Sequence, residues 1–344
     1  MVDLVSIQAA ALRSVNRLPR RLSRPLVGKP VVVEGQTLHH DMAVVLATQR
    51  IAGPPIETLP ITKGRKLLSE SARIISGKQP IGAVTNRKIT GPAGPIPLRF
   101  YTPENLTGTA PALVFYHGGG FAMGDLESHD GLCRYLAEQA QVRVISVDYR
   151  LAPEAQFPAG VDDSIAAWKW IVENADGLGI DRARIAVGGD SAGGNLAAVI
   201  AQEMVHSGGP VPAFQLLIYP VTDFSQKSAS RRTFAQGYFL TEELMDIFES
   251  AYLAGDEDLK DPRLSPLYGD VTGLPPAYVV TAGFDPLRDE GEAYAAKMAE
   301  AGVKVEQVRE SGLIHSFANM VGYGTAGPAA VRRCAHALQR GLGR

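Results

Sequence analysis

The sequence predicts an α/β protein built on one doubly wound, mostly parallel sheet with helices on both faces. Short segments of strand character alternate with helical segments from about residue 82 to the end of the chain. This alternation is typical of strand–helix–strand units. The central predicted strands are apolar on both faces, as expected of a parallel sheet that helices cover on both sides.

Eight strands are predicted, and those in the middle of the chain are short, largely apolar runs: Ala83–Thr90, Ile96–Tyr101, Ala112–Tyr116, Arg143–Asp148, Arg184–Gly188, Phe214–Tyr219, Ala277–Thr281 and Lys304–Glu310. The segments between and after them have helical character: Ser128–Ala140, Ala159–Asn174, Ala192–His206, Arg288–Ala301 and Gly327–Leu342. Eight strands with helices between them are enough for one large sheet domain.

Two regions depart from this alternation. Residues 1–80 consist of helical pieces that Pro and Gly interrupt, and we expect them to form an N-terminal helical cap on a sheet domain of residues 81–344. A second region without strand character follows Tyr219 and includes the helical piece Thr241–Tyr252. We expect a cap insertion at about 220–260, over the carboxyl ends of the strands where open α/β sheets bind ligands.

Composition excludes several classes of protein. The chain has 344 residues with 34 basic and 36 acidic side chains, so its charge does not favour nucleic acid or an anionic membrane as a partner. The sequence has no run of eighteen apolar residues, so we expect no stable membrane insertion. Cys133 and Cys334 lie in helix-like stretches, which predicts two buried thiols, no disulfide framework and no metal-ligand spacing. Together with an N-terminus unlike a secretory signal, this favours a cytoplasmic location. A homodimer remains an open alternative to a monomer.

A candidate nucleophile lies in a G-x-S-x-G pattern, Gly189-Asp190-Ser191-Ala192-Gly193, between a predicted strand and a predicted helix. In this context the pattern indicates a nucleophile elbow, a sharp turn that presents the Ser191 hydroxyl above the sheet. Gly189 and Gly193 allow the close approach of strand and helix. A glycine-rich turn without catalytic function, or a phosphate-binding loop, is the alternative.

A candidate oxyanion-binding loop, His117-Gly118-Gly119-Gly120, follows the predicted strand Ala112–Tyr116. Consecutive glycines expose backbone N–H groups, which can stabilise the alkoxide that forms during acyl transfer. In such sites the residue after the nucleophile, here Ala192, supplies a second donor. His117 precedes the serine, so we expect it to stabilise the glycine loop through hydrogen bonds rather than to act as the base.

The order Ser, then Asp or Glu, then His places the remaining groups later in the chain. Asp285 follows the strand Ala277–Thr281, and Pro286 disfavours a helical conformation there. Asp289 and Glu290 are alternatives, but they fall in the first turn of a predicted helix and suit its dipole. His315 follows the last predicted strand and is the candidate base.

The other histidines fit less well. His39 and His40 precede Asp41 in what resembles a solvated loop, and the remaining three lie in or at the ends of predicted helices: His129, His206 and His336.

These motifs resemble those of the hormone-sensitive lipase family of bacterial esterases, in the branch that carries GDSAGG. The resemblance covers about residues 82–340 and rests on the motifs above, on the segments 148–154 (DYRLAPE), 157–159 (FPA) and 285–290 (DPLRDE), and on Gly312 to Phe317. It implies an α/β-hydrolase with an eight-stranded, mostly parallel sheet under a helical cap, which hydrolyses small-molecule esters with short- to medium-chain acyl groups without metal or cofactor. It also implies that Gly119 and Gly120 donate to the oxyanion together with Ala192.

Aromatic residues near these motifs are candidates for lining an apolar substrate pocket: Phe121, Phe234, Tyr238 and Phe239. Packing of the cap onto the body is the alternative role. An amidase or peptidase on the same fold, and a hormone-receptor-like binding protein without catalysis, are the competing functions. The sequence has all three residues of a catalytic triad, Ser191, Asp285 and His315, and this argues against the receptor.

Overall fold

The computed structural model of the protein describes residues 26–50 and 55–343. A short antiparallel pair, β1 (Val32–Val33) and β2 (Gln36–Thr37), precedes the main sheet. The predicted N-terminal helical cap is therefore described only in part. None of the described helices is long and apolar enough to cross a membrane.

The main sheet has the eight predicted strands, most of them longer than expected: β3 (Ala83–Gly91), β4 (Gly94–Thr102), β5 (Ala110–Tyr116), β6 (Arg143–Val147), β7 (Ile180–Asp190), β8 (Phe214–Ile218), β9 (Ala277–Phe284) and β10 (Val305–Ile314). Their order is β10-β9-β8-β7-β5-β6-β4-β3. Only the pairs β3–β4 and β4–β6 are antiparallel. The predicted α/β-hydrolase fold with a mostly parallel sheet is thus confirmed.

The helices of the described chain are α1 (His40–Gln49), α2 (Ile61–Ser76), α3 (Asp130–Ala140), α4 (Ala159–Glu173), α5 (Ala192–His206), α6 (Ala229–Thr233), α7 (Glu242–Tyr252), α8 (Arg288–Glu300) and α9 (Ala326–Gly341). Cys133 and Cys334 are free, buried thiols in α3 and α9, as predicted.

Helices cover both faces of the sheet because successive side chains of a strand point to opposite sides. In β5, Leu113 and Phe115 pack in an apolar cluster with α1, α3 and α9. Val114 and Tyr116 pack in the opposite cluster with α4, α5 and α8. All four side chains are fully buried, which explains why the central strands lack alternating polarity.

The segment between β8 and β9 contains α6, α7 and a short 3-10 turn, Pro266–Tyr268, but no strand. α7 begins at a cap formed by Thr241, whose hydroxyl accepts a hydrogen bond from the Leu244 amide at 3.1 Å. Arg231 of α6 is nearly fully buried, and it pairs with Glu242 and Glu249 of α7 at 3.0 and 2.8 Å. These ion pairs hold the two helices together.

The prediction of a solvated loop at His39-His40-Asp41 is wrong. His39 is the N-cap of α1, and Asp41 is only 6% exposed. The Asp41 carboxylate accepts hydrogen bonds from the amides of Thr325 and Ala326 at 2.7 and 3.1 Å. Asp41 therefore satisfies amides at the start of α9, a long-range contact that no local pattern could reveal.

Candidate active site

Ser191 lies in a tight turn between the last residue of β7 and the first residue of α5. Its backbone has φ 56° and ψ −119°, a strained conformation for a residue with a side chain. A Cβ atom at Gly193 would collide with the Tyr116 carbonyl, and one at Gly189 would collide with the backbone of Gly193. Only glycines at these two positions let the strand and the helix approach so closely.

His315 and Asp285 are brought together by the register of two neighbouring strands. Ile314 of β10 pairs with Phe284 of β9, after an irregularity in the pairing that follows Glu310. His315 directly follows Ile314, and Asp285 directly follows Phe284, so the two side chains lie at the same edge of the sheet.

The three candidate side chains form one hydrogen-bonded chain. His315 Nε2 lies 3.0 Å from Ser191 Oγ, and His315 Nδ1 lies 2.7 Å from Asp285 Oδ2. An ionised carboxylate only accepts, so Nδ1 carries the proton and Nε2 is free to accept from the serine hydroxyl. The Leu287 amide donates to Asp285 Oδ1 at 2.9 Å and orients the carboxylate. Asp285 is fully buried, whereas Ser191 is 8% exposed.

The alternative carboxylates have other partners. Asp289 accepts from the Ser230 amide at 2.7 Å. Glu290 accepts from the Thr222 amide at 2.8 Å and is almost fully buried. Both residues lie in the first turn of α8, as predicted, and neither of them contacts His315. Burial raises the pKa of Glu290 to about 8, although hydrogen bonds from the Thr222 and Asp223 amides oppose this effect.

The glycine loop lies beside the elbow because Tyr116, the last residue of β5, pairs with Gly189 of β7. Gly119 and Gly120 have φ values of 119° and 60°, and a Cβ at Gly119 would collide with the Met123 carbonyl. Within the described part of the chain, the amides of Gly119, Gly120 and Ala192 donate to no protein acceptor. Three such donors on the loop and the elbow suit an oxyanion.

Asp190 connects the elbow to the glycine loop. Its carboxylate accepts from the Gly118 amide at 2.9 Å, contacts His129 Nε2 at 3.1 Å, and accepts from the Tyr219 hydroxyl at 3.3 Å. Burial alone would raise the pKa of Asp190, but the His129 ring and the Gly118 amide outweigh burial and lower this pKa. Asp190 therefore serves as a buried anchor.

Sequence reasoning missed the roles of His129 and Tyr219. His129 is buried in front of α3, and only its position after the glycine loop could have suggested a contact with Asp190. The Tyr219 ring lies 4.6 Å from the His315 ring, centroid to centroid. Tyr219 follows β8, and its φ of 36° turns the chain there. Its side chain thus contacts both the candidate base and the anchor.

His117 lies in the position expected for a residue that stabilises the loop. It is fully buried, its Nδ1 lies 2.9 Å from the Gly118 carbonyl oxygen, and its ring stacks on Tyr149 at 4.4 Å. Burial and the neighbouring His129 lower the pKa of His117 to about 4, so the ring is neutral near pH 7.

The structure separates the four aromatic pocket candidates. Phe234 is fully buried, 5.6 Å from the Phe284 ring, so it packs in the core and its proposed pocket role is wrong. Phe121 is 3% exposed and stacks on Tyr252 of α7 at 4.1 Å. Tyr238 and Phe239 are partly buried against the same cluster as Phe234.

Phe248 of α7 was not selected from the sequence, yet it lies directly on the glycine loop. A Cβ at Gly120 would collide with the Phe248 ring. Phe248 is partly buried and also contacts the small apolar cluster of Leu240, Leu244, Met245 and Leu287. A side chain of α7 therefore lies directly beside the candidate oxyanion donors.

The strand order, with candidate groups at the carboxyl edge of β7, β9 and β10, defines an α/β-hydrolase. Comparison with known proteins supports this assignment to the α/β-hydrolases. A family described as alpha/beta hydrolase fold matches residues 113–319. Carboxylic ester hydrolase LipN of Mycobacterium tuberculosis is 43% identical over 92% of this chain and 86% of its own length. Ethyl acetate hydrolase of Pseudomonas putida is 39% identical over 83% of this chain and 93% of its own.

Solved structures are also similar. An ester-hydrolase from the metagenome of Lake Arreo, in complex with a bipyridine phosphonate derivative, superimposes with a TM-score of 0.86 and 46% identity. The superposition covers 89% of this chain and 100% of that one. The chain therefore belongs to the hormone-sensitive lipase family of α/β-hydrolases, and it is an ester-hydrolysing serine hydrolase.

Proposed function

We propose that Ser191, His315 and Asp285 form the catalytic triad of this carboxylic ester hydrolase, which acts on short- to medium-chain acyl esters. The hydrogen-bonded chain from Ser191 Oγ through His315 to Asp285, with links of 3.0 and 2.7 Å, carries the proposal. Nucleophile, base and orienting carboxylate are in contact, in the order that activates a serine hydroxyl.

In the proposed mechanism Ser191 Oγ attacks the ester carbonyl carbon while His315 Nε2 takes the hydroxyl proton. Asp285 holds the imidazole in the tautomer with the proton on Nδ1 and stabilises the imidazolium that forms. The tetrahedral intermediate collapses, and His315 protonates the leaving alcohol. Water then attacks the acyl-enzyme by the same steps and releases the acid.

The negatively charged oxygen of the tetrahedral intermediate accepts hydrogen bonds from the amides of Gly119, Gly120 and Ala192. These amides lack protein acceptors among the described residues, so a substrate oxygen displaces no internal hydrogen bond. Removing one such donor typically lowers kcat about 10²–10³-fold. The Ala192 amide also lies at the N-terminus of α5, where the helix dipole favours a negative charge.

A preference for small acyl groups is supported by the aromatic residues around the loop. Phe248 lies on Gly120, and Phe121 is fixed against Tyr252, so the space beside the proposed donors is bounded by rigid rings. The name of the relative from Pseudomonas putida, ethyl acetate hydrolase, points to the same substrate class. Discrimination should be modest, since one methylene contributes only about 1–3 kcal/mol.

The test is turnover of p-nitrophenyl esters from acetate to palmitate by the full chain, with Ser191→Ala beside Ser207→Ala. Ser207 is an exposed residue at the end of α5, so its variant should keep the wild-type rate. We expect Ser191→Ala to lose turnover and labelling by a fluorophosphonate while its circular dichroism stays unchanged. Substantial turnover by Ser191→Ala would refute the triad.

The same assay separates the remaining alternatives. Faster hydrolysis of a p-nitroanilide than of the matching ester would indicate an amidase, and maximal rates on palmitate would contradict the chain-length proposal. A homodimer and a cytoplasmic location stay predictions, and sedimentation of the purified chain would test the first.

A further inference from the structure

Helix α2, which precedes the sheet domain, runs along the chain that continues the glycine loop. Gly64 is so close to Met123 that an added Cβ would lie 2.6 Å from the Met123 methyl carbon. Ser69, further along α2, donates to Asp125 Oδ1 at 2.9 Å. The helix therefore contacts the loop at two points, and Arg65 lies between them.

The Arg65 guanidinium binds two separate backbone carbonyls. Its Nε donates to the Ala122 carbonyl at 2.7 Å and its Nη2 to the Ala152 carbonyl at 2.6 Å. The remaining contacts are with Glu154, at 2.9 Å from Nη1 and 2.6 Å from Nη2. The Arg65 side chain is 25% exposed and that of Glu154 59%, so the carbonyl contacts are the more protected ones.

The Ala122 carbonyl belongs to the turn that contains the glycine amides, and the Ala152 carbonyl belongs to a second segment that is hydrogen-bonded to this turn. The amides of Ala122 and Met123 donate to the Gly119 carbonyl at 3.2 and 2.8 Å, which closes a tight turn around Gly120. The Ala152 amide donates to the Phe121 carbonyl at 2.9 Å. Arg65 thus joins the two chain segments on either side of the Phe121–Ala152 hydrogen bond.

We propose that Arg65 is a positioning residue for ester hydrolysis: by binding the Ala122 and Ala152 carbonyls, it holds the Gly119 and Gly120 amides in the orientation that the oxyanion needs. This inference rests on the proposed function. Preorganised donors stabilise a developing charge because they need not reorient during the reaction. A planar guanidinium can bind two carbonyls and a carboxylate at once, which a lysine ammonium on a flexible stem cannot reproduce.

A purely structural role for Arg65, as a link between α2 and the body, predicts a different result. In that case a variant would contain less folded enzyme, but each folded molecule would work at the wild-type rate. Active-site titration with a fluorophosphonate separates the two possibilities, because it counts competent sites before kcat is calculated.

The experiment compares Arg65→Ala and Arg65→Lys with Lys66→Ala, whose side chain is 79% exposed on the same helix. We expect Arg65→Ala to lower kcat per titrated site by roughly 10–10²-fold, somewhat less than complete loss of one donor. KM and the pH profile should change little. The Kd of an alkylboronic acid, whose tetrahedral adduct places an oxygen on the same amides, should rise by a similar factor. Lys66→Ala should match the wild type.

Arg65→Lys should fall between the wild type and Arg65→Ala, and it serves as the test if the alanine variant does not fold. A kcat per titrated site within about twofold of the wild type in both Arg65 variants would overturn the inference. A change that small would show that the oxyanion donors keep their positions without Arg65. Failure of the proposed function has a separate signature, which is retained turnover in Ser191→Ala. Loss of turnover in Ser191→Ala with unchanged Arg65 variants would refute the role of Arg65 alone.

Discussion

The Asp190 carboxylate accepts a hydrogen bond from the backbone amide of Gly118 at 2.9 Å, and this bond joins the elbow directly to the glycine loop. Asp190 immediately precedes Ser191, and Gly118 immediately precedes Gly119. The bond therefore constrains the distance between the proposed nucleophile and the proposed oxyanion donors. It also explains why a fully buried acidic residue is present beside the serine.

The first prediction concerns the negative charge of the Asp190 side chain. Asp190→Asn keeps the shape of the side chain but removes the negative charge that His129 and Tyr219 also contact. We expect a loss of about 1–3 kcal/mol in the free energy of unfolding, because a buried acceptor becomes a mismatched donor. The kcat per titrated site should fall as well. Urea unfolding and active-site titration measure the two effects, and an unchanged kcat would show that the negative charge of Asp190 is not needed for catalysis.

The second prediction separates the orienting carboxylate from its neighbour. Asp285→Asn should lower kcat by about 10⁴-fold, since an amide can donate to His315 Nδ1 and thereby favours the wrong tautomer. Asp289→Asn is the matched control, because Asp289 binds the Ser230 amide instead. Turnover of p-nitrophenyl butyrate measures both. Equal losses in the two variants would contradict the assignment of Asp285.

The third prediction concerns the contact between α7 and the glycine loop. Gly120→Ala should lower kcat because the new Cβ collides with the Phe248 ring and displaces the loop. In the double variant with Phe248→Ala the collision is absent, and more than half of the lost activity should return. Gly208→Ala controls for backbone strain, since Gly208 has a similar φ of 66° and no atom within 4 Å of an added Cβ. If the loss of activity in the double variant equals the sum of the losses in the two single variants, the contact is excluded as the cause.

The fourth prediction is a pH dependence of stability due to Glu290. Its pKa is about 8 in the folded chain and 4.5 without the surrounding protein, so between these values the folded state binds the extra proton. The contribution of Glu290 to the free energy of unfolding is therefore fully present below pH 4.5. It falls as the pH rises to 8, by up to about 1.4 kcal/mol per pH unit. Glu290→Gln should remove this fall.

Urea unfolding at pH 5, 7 and 9 tests the Glu290 prediction. Relative to the wild type, Glu290→Gln should become more stable with each step upwards in pH. Parallel stability curves for the two proteins would show that folding does not raise the pKa of the Glu290 carboxyl.

The strands and the large helices were predictable because their signals are local. Segments of strand character indicated all eight strands, and the GDSAGG and HGGG segments indicated two turns in which glycines allow neighbouring segments to approach closely. Strand ends were less accurate. β10 extends to Ile314 because it pairs again with β9 after an irregularity, and sequence patterns do not encode such long-range pairing.

The chain order of Ser191, Asp285 and His315, and their positions after strands, were determined by the sequence itself. Their contact was decided by the tertiary structure, because it depends on Phe284 lying opposite Ile314 in neighbouring strands. The same holds for the contacts of Asp190, Arg65 and Phe248. Each joins segments far apart in the chain, so burial and hydrogen bonding across elements, rather than local propensity, select these partners.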